Sequence, residues 1–169
     1  MPLNPVFNGP LDGTVILRDA VVLALAGLLA ACFKLPPGVD ELNAGSDALL
    51  KGKKEEALQH YDGAIKARPE WATPHCARGN ALVQLSRYEE AITSYRRCLA
   101  LDPAYDDGKA SLAEALVRAC RYSEAQAALK TLDDAHTSDP RILQNGEWVR
   151  RQLVKAAQLG GRCLPNDQD

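Results

Sequence analysis

Five cysteines and three histidines are the residues of this 169-residue chain with the most chemistry to offer. Thiolates and imidazoles hold metals or act as nucleophiles and bases, but only where spacing brings several together. Cys32, Cys76, Cys98, Cys120 and Cys163 contain no Cys-x-x-Cys pair, and His60, His75 and His136 lie far apart. Neither a metal centre nor a disulfide-stapled scaffold is expected from that spacing. The chain also lacks a nucleophile–base–orienter set, a glycine-rich phosphate loop and a pair of carboxylates in a supporting context. The reading is therefore a non-enzymatic protein, with no cofactor and no small-molecule substrate. A formal net charge of −2 gives no electrostatic case for nucleic acid.

One cysteine stands at a place that suggests modification. Ala20–Ala31 reads AVVLALAGLLAA, an uncharged run preceded by Arg18 and Asp19 and ended by Cys32. The run is short for a membrane span and suits the apolar region of a secretory signal. Leu29-Ala30-Ala31-Cys32 resembles a bacterial lipobox, the cleavage site of lipoprotein precursors. That resemblance implies a signal segment over 1–32, lipidation of Cys32, and a membrane partner reached through acyl chains. It places the protein in the bacterial cell envelope. The other reading of the same run is an apolar helix of a cytosolic protein, packed on whatever follows. Residues 33–39, with Pro36-Pro37-Gly38, read as a short stiff linker.

The elements that follow repeat. Within Ala72–Tyr105, the residues Gly79, Leu82, Tyr88, Ala91, Ile92, Tyr95 and Pro103 recur about 34 positions earlier as Gly45, Ala57, Leu58, Tyr61 and Pro69. One period later stand Ala113, Leu116, Tyr122, Ala125 and Leu129. This pattern resembles the tetratricopeptide repeat (TPR), a pair of antiparallel helices. The resemblance implies an all-α fold, a right-handed α-solenoid of three TPR pairs (38–71, 72–105 and 106–139, within 40–139). Helices are expected over Val39–Leu50 and Lys53–Arg68, then from Thr73 (as N-cap, with Pro74 first) to about Leu85. Tyr88–Leu101 and two helices between about Asp106 and Asp134 complete the array. Small residues Gly45, Gly79 and Ala113 are expected to face Ala57, Ala91 and Ala125 where paired helices cross. Tyr61, Tyr95 and Leu129 are expected to fill the wedge towards the next unit. Cys98 takes the usual place of a small core residue, so a buried thiol is expected; a Cys76–Cys98 bond stays open as the alternative.

The third unit leaves the pattern. Thr137 stands where Pro69 and Pro103 stood, and Asp139-Pro140 arrives late. Residues 140–160 read as a capping helix, with Leu143, Trp148, Leu153 and Ala156 on or near one stripe, followed by a loose tail over 161–169. Arg141, Arg150, Arg151, Lys155 and Arg162 outweigh Glu147 there. The plain account is a solvated cap with Trp148 packed on the last repeat; the sharper one is contact with anionic headgroups or an acidic partner.

The family binds protein or peptide partners along the first helix of each pair. Carried over by position, the resemblance implies contact residues Leu42, Ser46 and Leu49 in the first unit and Cys76, Asn80, Val83 and Gln84 in the second. In the third it implies Ala110, Glu114, Val117 and Arg118. Chaperone-binding members grip a C-terminal carboxylate with lysines and asparagines; only Asn80 fits that pattern, so no such clamp is expected. The expectation is a protein-interaction scaffold, lipid-anchored in the envelope and serving assembly of a pilus or secretion complex. The alternative is a cytosolic TPR binding module.

Overall fold

The computed structural model describes residues 35–135 and 137–163. The expected signal segment with Cys32, the residue His136 and the tail beyond Cys163 lie outside them. The described helices belong to one compact unit starting at Pro37. They are α1 (Val39–Leu50), α2 (Lys54–Ala67), α3 (Ala72–Gln84), α4 (Tyr88–Leu101), α5 (Asp106–Arg118), α6 (Tyr122–Asp134) and α7 (Pro140–Gln158). The pairs α1/α2, α3/α4 and α5/α6 stack in order, giving an all-α solenoid closed by α7.

The turn inside each pair is the same device three times. Gly52, Ser86 and Cys120 take the left-handed conformation, with φ of 75°, 59° and 60°. The next residue then folds back on the helix: the amides of Lys53, Arg87 and Arg121 donate to the carbonyls of Ala48, Leu82 and Leu116 at 2.9, 2.9 and 2.8 Å. Those bonds satisfy carbonyls that a helix end leaves open. The turn between pairs is looser. Trp71, rather than Thr73, is the N-cap of α3, and no side chain caps that helix. Pro74 therefore lies inside the first turn, where its missing N–H costs nothing.

At the crossings Gly45 and Gly79 lie against tyrosines of their own pair: a methyl group on either would stand 2.5 Å from the Tyr61 ring or 2.6 Å from the Tyr95 ring. Tyr61 and Tyr95 are thus core residues of their own units, each almost fully buried. The alanines Ala57, Ala91 and Ala125 are buried as well.

Two disulfides join described residues. Cys76 of α3 is bonded to Cys98 of α4, closing the central pair, so Cys98 is not a free thiol. Cys120, at the last turn, holds Cys163 beyond α7. Nearby, the Tyr122 hydroxyl donates to the carbonyl of Arg162 at 3.2 Å.

Asp139 opens α7 as an N-cap, its Oδ1 accepting from the Arg141 amide at 2.9 Å. The Arg141 side chain closes on the same carboxylate at 3.1 Å and holds its pKa below the usual range. The buried stripe of α7 is Ile142, Gly146, Val149, Gln152 and Ala156. Leu143, expected on that stripe, is 46% exposed. Trp148, Leu153 and Ala156, the rest of that stripe, do pack against the core. Against the preceding pair, α7 packs more on α5 than on α6, whereas α3 packs more on α2 than on α1 and α5 more on α4 than on α3. The longer connection after α6 lets the last helix lean over the first helix of the third pair.

Candidate functional site

The candidate face is formed by α1, α3 and α5, the first helix of each pair. Small residues on these helices allow the partner helices to come close, which leaves the opposite side for contact. At the α1 end, Leu42 and Leu49 are half-buried and Ser46 is exposed. The Ser46 hydroxyl is engaged locally, donating to the Leu42 carbonyl at 3.0 Å. This end is apolar, and Leu50 beside it is 87% exposed.

The middle is polar and pre-arranged. Asn80 is exposed, and its Oδ1 accepts a 2.6 Å hydrogen bond from the Tyr95 hydroxyl. That bond commits the carbonyl side of the amide and leaves the two N–H donors facing away from it. Burial pushes the Tyr95 phenol above its ordinary pKa, with the charge of Glu114 adding to the effect, so the phenol remains a donor. Val83 is half-buried and Gln84 exposed beside it. The Gln84 carbonyl accepts from Lys54 Nζ at 2.7 Å.

At the α5 end, Glu114 and Arg118 are half-buried and paired at 2.9 Å across one helical turn. Two side chains of α7 complete this corner. Asn145 donates to the second oxygen of Glu114 at 3.3 Å, and the Arg118 guanidinium stands 5.2 Å from the centroid of the Trp148 ring. Together with Arg141, Gln144 and Arg151 they line an open hollow of about 330 Å³. A larger, more apolar hollow of about 450 Å³ lies among Leu99, Leu112, Leu116 and Ala128 of α4, α5 and α6.

Three expected contact residues do not reach this face. Cys76, Ala110 and Val117 are 3%, 1% and 5% exposed. Cys76 is consumed by its disulfide, and a methyl on Gly108 would stand 2.9 Å from its sulfur, so α3 and α5 are in close contact there. Helices packed this closely bury the flank of the face. Conversely, Gln144, Asn145 and Trp148 of α7 extend the face beyond the three pairs. Their aromatic–cation spacing is visible in the sequence; their placement against Glu114 and Arg118 is not. Among the described residues there is no group of three or more His, Cys, Asp or Glu side chains able to hold a metal.

Chemically, the face offers apolar contacts at one end, oriented amide donors in the middle and a charged, aromatic corner at the other. Such a surface binds by shape and hydrogen bonding.

Comparison with known proteins agrees with that architecture. Two family models described as tetratricopeptide repeat match residues 42–106 and 82–144. No curated protein matches the chain. Among solved structures, the second TPR of Spaghetti (RPAP3) bound to an HSP90 peptide is 25% identical, with 57% of this chain and 89% of that one covered and a TM-score of 0.55. The TPR2B domain of yeast Sti1 in an Hsp70 complex is 21% identical over 73% and 98% of the two chains, with a TM-score of 0.63. The Sgt2 TPR domain of Aspergillus fumigatus is 19% identical over 80% and 90%, with a TM-score of 0.67.

These likenesses overturn the lipid-anchored envelope role and the envelope location expected from Leu29–Cys32. The matched structures are TPR domains from yeast and a mould, with others from human and Arabidopsis proteins, and several hold HSP70 or HSP90 peptides. They favour the alternative, a TPR binding module. No helix among the described residues is long and apolar enough to cross a membrane. The repeat matches identify a binding scaffold and not an enzyme, and the chain is a tetratricopeptide-repeat protein.

Proposed function

We propose that this protein is a scaffold that binds an extended segment of a protein partner along the face of α1, α3 and α5. Leu42, Leu49 and Val83 supply the apolar contacts, Ser46, Asn80 and Gln84 the polar ones, and Glu114 with Arg118 the charged end. The observation that carries the reading is the Tyr95–Asn80 hydrogen bond of 2.6 Å. A buried phenol that fixes an exposed amide sets donors in place before a ligand arrives, and pre-set donors lose less entropy on binding. An extended peptide has backbone carbonyls that need such donors. The likeness to domains solved with HSP70 and HSP90 peptides supports an extended peptide as the ligand class. Which partner supplies it is set by the side chains around Asn80, which differ from a lysine-based clamp.

The test is selection of peptides from a displayed random library on the full-length protein. Selected peptides should lose about five-fold or more in affinity to Asn80→Ala and to Val83→Asp, since one oriented hydrogen bond contributes on the order of 1 kcal/mol. Peptides that bind both variants as well as they bind the parent would place the site elsewhere.

A further inference from the structure

We infer that the hollow between α5 and α7 is a subsite for an acidic side chain of a bound peptide, read by Arg151 and Gln144 beside the Trp148 ring. The inference rests on the peptide-binding reading above and adds what chemistry the far end of the face selects. Three arginines border the hollow, Arg118, Arg141 and Arg151, against the single carboxylate of Glu114. The whole chain carries a net charge of −2, so this local excess runs against the overall balance.

The cations are not equally available. Arg118 is tied to Glu114 at 2.9 Å, and Arg141 to Asp139 at 3.1 Å. Arg151 is exposed and has no hydrogen bond or ion pair among the described residues, and the same holds for the amide of Gln144. Glu114 is already answered by Arg118 and Asn145. A carboxylate entering the hollow would therefore meet an unpaired guanidinium and an unpaired amide, with Glu114 neutralised behind them. Guanidinium forks match carboxylates in two parallel hydrogen bonds. The Trp148 ring, half-buried beside Arg118, gives the methylene stem of the incoming side chain an apolar wall.

The site exists because α7 leans over α5. A helix stacked as α3 and α5 are stacked would sit over its neighbour's second helix and leave this corner open. A flat anionic bilayer is the other chemistry that arginines attract. Two of the three arginines here are already tied to carboxylates, and one remaining guanidinium suits a single side chain better than a bilayer, which takes a cluster of cations.

The experiment measures fluorescence anisotropy of a labelled, acetylated and amidated peptide of alternating alanine and glutamate with the full-length protein. A glutamine version and vesicles containing phosphatidylserine are run alongside. The glutamate peptide should bind at least ten-fold more tightly than the glutamine peptide, and weaken at high salt. Arg151→Glu should lower its affinity by ten-fold or more, and Trp148→Ala by a smaller factor. Arg97→Glu, the same charge change at an exposed position of α4, should change it little. Unaltered thermal melting of Arg151→Glu would show that the fold is intact. Equal losses from Arg151→Glu and Arg97→Glu, no preference for glutamate, or an effect of Arg151→Glu on vesicles alone would overturn the subsite. If library peptides ignore Asn80→Ala while the glutamate peptide still requires Arg151, the general reading fails and the subsite stands. If the reverse is found, only the subsite fails.

Discussion

The ring of Tyr95 fills the space that any side chain on Gly79 would need, its Cε1 standing 2.6 Å from where a methyl would be placed. Tyr61 stands in the same relation to Gly45, at 2.5 Å. In the third pair the matching positions are Ala113 and Leu129, both buried. The small residue and the large one change together: glycine accompanies the flat aromatic ring, and alanine the slimmer leucine.

The first prediction follows from that exchange. Gly79→Ala should destabilise the protein by about 1–3 kcal/mol through overpacking, although alanine is the better helix former. In a Tyr95→Leu background the same change should become neutral or stabilising, by up to about 1 kcal/mol. Urea unfolding of the four proteins in the cycle measures it; an unchanged sign would show that the ring does not set the glycine requirement.

A second prediction concerns the left-handed turns. Ser86 holds a φ of 59° that glycine reaches without strain, as Gly52 does at the equivalent turn. Ser86→Gly should raise stability by about 1 kcal/mol. A lower melting temperature for the variant would mean that the serine side chain, which accepts from the Tyr88 hydroxyl at 3.3 Å, outweighs the backbone term.

The central disulfide should be the more consequential of the two for global stability. Cys76 and Cys98 are 22 residues apart in sequence and both are buried. Replacing both by alanine, or reducing them, should cost roughly 3 kcal/mol. Cys163→Ser should instead expose the stretch after α7 to proteases, because that bridge holds the residues following α7 to the last turn of the third pair. Limited proteolysis under native conditions separates the two effects, and equal protection of the C-terminal stretch with and without Cys163 would refute the second.

Alkaline stability supplies the fourth. Burial raises the pKa of the Tyr95 phenol, and Glu114 raises it further. A group whose pKa is raised by folding contributes stability that is complete below its unfolded value, near 10, and is lost as the pH climbs beyond that value. Tyr95→Phe should therefore be less stable than the parent at neutral pH, having lost the bond to Asn80. It should lose less further stability than the parent above about pH 10. Parallel alkaline unfolding curves for the two proteins would sink this account.

Helix positions were legible because each is fixed locally. Val39–Leu50 and Tyr88–Leu101 end at residues the sequence marks, where glycine, serine or proline interrupts a repeated apolar pattern. What depended on long-range placement was not legible. In α7, Trp148, Leu153 and Ala156 of the expected stripe pack against the core, while Leu143 is exposed and its neighbour Ile142 is buried in its place, with Val149 at the centre of the packed face. Nothing within α7 chooses between Ile142 and Leu143; the lean over α5 does. The Cys120–Cys163 bond is hidden because its partners are 43 residues apart with two helices between them. Of the expected contact residues, those on the exposed edge of each helix kept their place. Cys76, Ala110 and Val117 were lost to the tightness of the stacking, which period alone does not reveal.

The Cys76–Cys98 bond lies within one helix pair and in the middle of the array. In a linear stack each unit is stabilised only by itself and its immediate neighbours. A covalent clasp in the central unit therefore biases the order of events: the hairpin of α3 and α4 survives in the partly unfolded chain and templates both flanks outward. Fraying should start at α1, because the Cys120–Cys163 bond ties the far end of α7 to the third pair, and should reach the middle last. Asn80, carried on the clasped hairpin, is then the part of the face that persists longest, so a partner anchored there could hold on while the α1 end of the array opens and closes.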